Sequence, residues 1–256
     1  MNEALTSFTA LALPGIPLVR EGDDIARLIQ DALVRAEISL QSGDVLVISS
    51  KIISKSEGRF VRLADVEPSQ QAEEYAQKTG KAARLVEVIL RESQSVSRVA
   101  RSVLVTEHRL GFISANSAVD QSNVDETQER ILLLPLDPDA SARHIREQLR
   151  AATGAAPAIV ISDTHGRPFR LGNVGVAIGL AGMKALLDER GSHDLFGREL
   201  VATVQGYADL VASAAHLLCG EGAQGRPVIL LRGLKYPEGD GSAADLNRPA
   251  ELDLYR

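Results

Sequence analysis

Apolar and polar positions along this chain alternate between the period of a buried strand and that of an amphipathic helix. Thr9 to Leu13 reads as a first strand, ended by the turn-forming Pro14-Gly15-Ile16-Pro17. Asp23 or Asp24 is placed to cap a helix whose apolar face is Ile25, Leu28, Ile29, Ala32 and Leu33. Gly43-Asp44 then introduces Val45-Leu46-Val47-Ile48, a continuous apolar run of the kind found in strands buried on both faces. Residues 49–58 are polar and hydroxyl-rich, with Lys51 and Lys55 four apart. A helical pattern over 67–91 is interrupted at Gly80, and Val103 to Val105 and Phe112 to Ser114 read as paired strands. Asp137-Pro138 opens a further helix running to about residue 152, since proline suits a first helical position.

The run Ala158-Ile159-Val160-Ile161 reads as a strand that spills into a polar loop, Ser162-Asp163-Thr164-His165-Gly166-Arg167-Pro168-Phe169-Arg170. Val174 to Ala181 is apolar but broken by glycine, and a long helix is expected over 200–218. The glycine-rich segment 220–225 follows, then the strand Val228 to Leu231, and from Pro237 a polar tail expected to be mobile. This alternation describes an α/β (α+β) chain, and a boundary between about Glu57 and Arg101 would mark off a sub-lobe. No internal repeat or low-complexity linker is visible.

With 256 residues, 45% of them hydrophobic and 24% charged, the composition is that of a globular protein with one large core or two modest ones. A net charge of -6 argues against a nucleic-acid footprint, although local cations can still hold a nucleotide. The single cysteine, Cys219, cannot form an internal disulfide, as expected of a reducing cytoplasm. Met1-Asn2-Glu3 has no basic n-region and no run is long enough to span a bilayer, so no membrane association and a cytoplasmic location are expected.

Open α/β sheets bind ligands where strand ends meet loops, which draws attention to Asp163, Thr164, His165, Arg167 and Arg170. A carboxylate for a metal and guanidiniums for anionic oxygens suit phosphate chemistry; a polar turn with solvated arginines is the plain alternative. The segment 116–123 packs Asp120, three amides and two hydroxyls after a strand, either a metal ligand with phosphate-orienting neighbours or an Asx-turn loop. Gly220-Glu221-Gly222-Ala223-Gln224-Gly225 matches the dinucleotide fingerprint, but it follows a helix and precedes a strand, the reverse of the required context. It reads instead as a helix C-cap loop, or as a loop that wraps a nucleotide with Glu221 inside it. There is no Walker A sequence, because Gly80-Lys81 is followed by alanine, so the fold is expected to be neither Rossmann nor P-loop. Asp120, Asp163 and Glu221, with Thr164, would form an all-oxygen set for Mg2+ or Mn2+. The five histidines are scattered and no G-x-S-x-G elbow is present.

Seven segments taken together resemble one family over nearly the whole chain: Gly15 to Asp24, Ile48 to Gly58, Asn116 to Asn123, Leu133 to Asp139, Ser162 to Arg170, Asp194 to Leu200 and Arg232-Gly233-Leu234. They look like the coenzyme F-420:L-glutamate ligases. The resemblance implies a mixed-sheet, two-lobed ligase fold forming an intertwined homodimer, with one domain over 1–256. It also implies coupling of GTP cleavage to joining L-glutamate onto the coenzyme F-420 precursor. It places the nucleotide on Ile16, Pro17, Leu18, Val19, Ser50, Lys51, Lys55, Asn123, Cys219, Gly220, Glu221, Gly222, Ala223, Gln224, Gly225 and Arg226.

By the same resemblance, one divalent cation would sit on Asp120 and Asp163 and a second on Thr164 and Glu221, with K+ as a further cation. Asp120, Asp163, Glu221 and Lys55 are the expected catalytic set, with Lys55 a phosphate contact and Arg167 or Arg170 candidates for carboxylate or phosphate. Lys51 and Ser117 depart from the smaller residues expected there, and His165 stands at a variable position. No fused flavin reductase domain is expected. The expected chemistry is an acyl phosphate made on the precursor carboxylate and attacked by the amine of glutamate. Two other readings remain: a nucleotide-binding module without catalysis, and an amino-acid ligase acting on another carboxylate.

Overall fold

The computed structural model describes residues 6–124 and 129–253. The readings made on Met1 to Glu3 and on the last three residues of the tail lie outside these. The strands are β1 (Thr9–Ala12), β2 (Val45–Ser49), β3 (Phe60–Arg62), β4 (Ser93–Ala100), β5 (Val103–His108), β6 (Ile113–Ala115), β7 (Arg130–Leu132), β8 (Ala158–Arg167), β9 (Arg170–Ala181), β10 (Leu187–Asp188), β11 (Val204–Gln205) and β12 (Val228–Arg232). The α-helices among the described residues are α1 (Ile25–Arg35), α2 (Ser50–Ser56), α3 (Gln70–Thr79), α4 (Ala83–Arg91), α5 (Pro138–Thr153) and α6 (Tyr207–Cys219). None is long and apolar enough to cross a membrane.

The main sheet has the order β1-β12-β2-β8-β9, and only β2 and β8 run parallel. It is therefore a mixed sheet, with no closed barrel. The apolar runs of the central strands β2, β8 and β12 are buried on both faces, and alternate residues supply two cores. Leu46, Ile48, Ile159, Ile161 and Leu230 face Ile29 and Leu33 of α1, Ile53 of α2 and Ile145 and Leu149 of α5. Val45, Val47, Val160, Ile229 and Leu231 face Ala208, Val211, Ala212 and Ala215 of α6. The small residues of α6 let it lie close to the sheet. A Cβ on Gly175 of β9 would meet the Ala212 carbonyl oxygen at 2.6 Å, and one on Gly179 would meet Pro138 at 2.5 Å. The glycines that break the apolar run of β9 are thus the points where α6 and α5 rest on it.

The helices begin and end as their sequences direct. Asp24 caps α1 by accepting from the Arg27 amide, and Asp137 caps α5 by accepting from the Ala140 amide, with Pro138 in its first turn. Gly80 ends α3 in the left-handed conformation.

Three expectations are corrected, and one segment to which the sequence pattern assigns no element takes a definite form. The polar segment Ser162 to Arg170 is not a loop: β8 continues to Arg167 and pairs with β9 as a long antiparallel hairpin. Residues 50–56 form α2, held by Ile52 and Ile53 beneath an otherwise polar sequence. The helix expected from residue 200 starts at Tyr207, because Val201 and Val204 are exposed and face no core. Within the described residues, the tail from Pro237 packs against the rest of the chain where mobility was expected. It bridges Met183 through Glu238, buries Ala243, and carries Asn247, whose side-chain amide donates to the Leu110 carbonyl oxygen at 2.9 Å.

Between β3 and β7 the chain builds two small apolar clusters of its own, centred on Val88 and Ile131 and on Val86, Ile89 and Leu104. A buried charge cluster ties this segment down. Glu92, at the end of α4, lies 3.2 Å from the Arg59 guanidinium and 3.1 Å from that of Arg109. Arg59 donates to the Leu134 carbonyl oxygen, and Arg109 to those of Pro135 and Leu136. His108 Nδ1 accepts from the Leu110 amide, so its proton is on Nε2, 3.7 Å from Glu92. Burial pushes the Glu92 carboxyl up, but His108, Arg109 and Arg59 outweigh it and hold the group at about 2.

Removing this carboxylate leaves two guanidiniums without their partner, so Glu92→Ala is expected to lose about 3–5 kcal/mol in urea unfolding. Because the folded value is depressed from 4.5 to about 2, the stabilisation is complete above pH 4.5 and is lost as pH falls through 2. A pH-independent stability between those values would contradict the assignment.

Candidate active site

The parallel pairing of β2 with β8 sets Ser49 beside Ser162. The chain leaves β2 directly into α2, which carries Ser50, Lys51 and Lys55, while β8 runs on through Asp163, Thr164 and His165. Above these ends lies a cleft of about 650 Å³. It is walled by Ile16 to Val19 before α1, the turn 118–123 after β6, and the loop from Cys219 to Pro227 after α6. Every residue expected from the sequence to meet nucleotide or metal lines it, except Gln224. The Gln224 side-chain oxygen accepts from the Gly222 amide at 2.8 Å, so it braces the loop from behind.

Asp120 is held by its own chain and by α2. Its backbone bridges Leu132, and its Oδ1 accepts from the amide and hydroxyl of Ser122 at 2.7 and 2.9 Å. Its Oδ2 lies 2.6 Å from Lys51 Nζ, which also donates to the Ser122 carbonyl oxygen at 2.9 Å. Lys55, one turn on, donates to the Asn123 carbonyl oxygen at 2.7 Å. Asn123 in turn reaches the Gly222 carbonyl oxygen at 3.4 Å, linking two walls of the cleft.

The turn before Asp120 is built from three consecutive residues in the left-handed region, Asn116, Ser117 and Ala118, at φ 54, 50 and 51°. Such a run is costly for residues with a Cβ, and it persists because the side chains are tied down. Asn116 accepts from the Leu104 amide, and the buried Ser117 hydroxyl lies 2.6 Å from that of Ser93 and 2.7 Å from that of Thr106. This accounts for serine at 117, where a smaller residue was expected.

On β8, successive side chains point to opposite faces. Asp163 lies on the α2 side, 3.4 Å from the Ser50 hydroxyl. His165 is on the same side, with Nε2 3.4 Å from Asp163 Oδ2 and its ring centroid 4.6 Å from that of Phe112. That nitrogen is buried and makes no hydrogen bond among the described residues. Thr164 pairs with Gly175, whose missing side chain faces α6, so the threonine points toward the α6 side. Glu221 follows α6, and its carboxylate is 3.1 Å from His216 Nε2.

Among the described residues no three Asp, Glu, His or Cys side chains converge to form a metal cage. The carboxylates line one cleft, each with a separate cationic or hydrogen-bonding partner. The donors are nevertheless all oxygen, and an ammonium ion already sits on Asp120 where a cation would, so the residues fit hard divalent ions.

Arg167 and Arg170 fall outside the cleft lining, and Arg167 donates to the carbonyl oxygens of Leu171 and Gly172 within its own hairpin. Burial, reinforced by Glu221 and opposed by Lys51, pushes the Cys219 thiol up, so it is protonated and no nucleophile. Sequence reading missed His216 and Asp209. Asp209 accepts from the Ala177 amide at 2.8 Å and, with His165, lines a neighbouring cavity of about 320 Å³. Its carboxyl is pushed up by burial, against the pull of the Ala177 amide and His165. Both residues lie on the apolar-patterned α6, where nothing in the spacing marks them.

A mixed sheet whose one parallel pair opens into a lysine- and carboxylate-lined cleft has a site suited to anionic ligands. A family model described as F420-0:Gamma-glutamyl ligase matches residues 15–233. The chain is 45% identical to the coenzyme F420:L-glutamate ligase of Methanothermobacter thermautotrophicus, over 96% of this chain and 98% of the relative. It is 44% identical to the protein of that name from Methanopyrus kandleri, over 96% and 98%, and 42% identical to that from Methanocaldococcus jannaschii, over 94% of each. The chain belongs to the F420-0:gamma-glutamyl ligase family.

The left-handed turn makes a test of the site's scaffold. Ser117→Val places a β-branched residue at φ 50° and removes the buried hydroxyl; it is expected to lose about 2–4 kcal/mol in chemical unfolding. Ser117→Gly relieves the backbone while losing the hydroxyl, and should stay within about 1 kcal/mol of wild type.

Proposed function

We propose that this chain joins L-glutamate through an amide bond to the carboxylate of a coenzyme F420 precursor, in a reaction coupled to GTP cleavage. The ligase activity is that named in relatives 42–45% identical to the chain. The observation that carries the reading onto this structure is the shared cleft. Two lysines, three carboxylates and the hydroxyls of two strand ends meet there, beside an apolar wall at Ile16 to Val19 suited to a nucleobase.

A carboxylate does not react with an amine until one oxygen becomes a leaving group. In the proposed course the precursor carboxylate oxygen bonds to the γ-phosphorus of GTP while the bond to the β-phosphate oxygen breaks and GDP leaves. The glutamate nitrogen then attacks the acyl carbon, inorganic phosphate departs, and the amine gives up a proton. Lys55 and Lys51, on the helix that follows β2, line the cleft and would meet phosphate oxygens by turning from the 120–123 turn. Strand alternation supports a division of the acids: Asp163 and Asp120 on the α2 side, Thr164 and Glu221 on the α6 side, one divalent cation for each pair. Bound there, the cations would neutralise charge accumulating on the transferring phosphoryl group. The half-buried rings of Phe112 and His165 pack against each other on the side of Asp163.

A homodimer is part of the proposal. Leu171 at the turn end of the β8–β9 hairpin is 99% exposed, and Leu195 and Phe196 are 99% and 96% exposed. Apolar side chains so far out of the core are suited to a second copy of the chain. Light scattering is expected to give the mass of a dimer, with Phe196→Asp shifting it toward the monomer.

Incubation with GTP, L-glutamate, Mn2+ and the coenzyme precursor, followed by mass spectrometry, is expected to show a GTP-dependent gain of one or more glutamyl units. Asp163→Asn should lower turnover at least about 100-fold while the thermal midpoint changes little. GTP binding without any product from the wild type would instead mark a non-catalytic nucleotide-binding module.

A further inference from the structure

The strongest unexplained feature of the cleft is the position of Lys51. Its ammonium is 2.6 Å from Asp120 Oδ2, 2.9 Å from the Ser122 carbonyl oxygen and 3.4 Å from the Ser122 hydroxyl. The second oxygen of Asp120 is already taken by the amide and hydroxyl of Ser122. The three oxygens around Lys51 are of the kinds that coordinate hard cations: a carboxylate, a carbonyl and a hydroxyl. The side chains of Lys51 and Asp120 are 25% and 32% exposed, so the pair is shielded from water more than a surface ion pair is. Lys55 meets the same turn one residue further on, through the Asn123 carbonyl oxygen.

We propose that the Lys51 ammonium is a built-in occupant of the cation position on Asp120, and that divalent cations load by displacing it. The inference rests on the metal reading of Asp120 given above. In the ligand-free protein the lysine neutralises Asp120 and holds the 120–123 turn in place, so the turn does not depend on metal for its order. Like charges cannot share the site. A cation arriving at Oδ2 must drive Lys51 out, and a lysine four carbons long can swing from there into the cleft, where nucleotide phosphates supply a new anionic partner. Metal alone therefore binds weakly, since it replaces one favourable pairing with another. Metal together with nucleotide binds more tightly, since the released ammonium is paired again. Lys51 would in this way couple metal and nucleotide binding, and the coupling is reciprocal.

The test is Mn2+ binding to the nucleotide-free dialysed protein, followed by electron paramagnetic resonance of free Mn2+. Lys51→Met is expected to bind Mn2+ at least about fivefold more tightly than wild type, the scale of one ion pair removed as a competitor. Lys51→Arg keeps the pairing and should stay near wild type. Lys55→Met alters net charge equally but does not touch Asp120, so it separates displacement from general electrostatics. A GTP analogue should strengthen Mn2+ binding in wild type more than in Lys51→Met. Equal Mn2+ affinity in wild type and Lys51→Met, or equal gains in Lys51→Met and Lys55→Met, would overturn the proposal. Absence of Mn2+ binding by every variant would overturn the metal reading itself, and the proposal with it. Should Lys51→Met fold poorly, Asp120→Asn provides the complementary measurement. It removes the shared anchor, and Mn2+ binding unaffected by that change would also overturn the proposal.

Discussion

The structure depends on one pairing, the parallel register of β2 with β8. Both strands are apolar on both faces, so a slip of one residue would exchange the residues facing α1 and α5 for those facing α6. With the register fixed at Ser49 against Ser162, the two chains emerge from the sheet side by side. One turns at once into α2 with its lysines, and the other continues through Asp163 and Thr164. β1, antiparallel to β12 and so running the same way as β2 and β8, sends the chain that follows it, Ile16 to Val19, to the same cleft. A cleft in which lysines and carboxylates face one another follows from that geometry.

The remaining acids reach the cleft by separate routes, each with its own support. Asp120 comes from the segment between β3 and β7, whose position relative to the sheet is fixed through Glu92, Arg59 and Arg109. The two arginines donate to the carbonyl oxygens of Leu134, Pro135 and Leu136 just before α5. Glu221 comes from the far face of the sheet, carried by α6, which lies close because Gly175 has no side chain in its way. Charge organisation in the cleft is thus a product of packing well away from it. The Lys51–Asp120 pair shows how the ligand-free molecule tolerates the arrangement, with one cation of its own placed among the acids.

Much of the sheet could be read from the sequence, because strands buried on both faces leave continuous apolar runs at Val45 to Ile48, Ala158 to Ile161 and Val228 to Leu231. The caps at Asp24, Gly80 and Asp137 were equally legible, since capping chemistry is local. Where polar residues lie in regular structure the reading failed. Ser162 to Arg167 continue a strand because β9 pairs with them, a constraint visible only in three dimensions. Residues 50–56, assigned no element from their polar pattern, form α2, and the apolar Leu200 to Val204 imitated a helix although they belong to the surface. The site residues became legible only as a set, because Asp120, Asp163 and Glu221 are distant in sequence and individually indistinguishable from turn residues. His216 and Asp209 carried no such signal, being polar positions on an apolar helix.

The central claim is that nucleotide and divalent cations meet in the cleft above β2 and β8. A crystal grown with Mn2+ and a non-hydrolysable GTP analogue, measured for anomalous scattering, tests it most directly. The account predicts one manganese peak contacting Asp120 and Asp163 and a second contacting Thr164 and Glu221, with the triphosphate between them and Lys55. Nucleotide bound elsewhere on the sheet, or manganese away from these four residues, would contradict it.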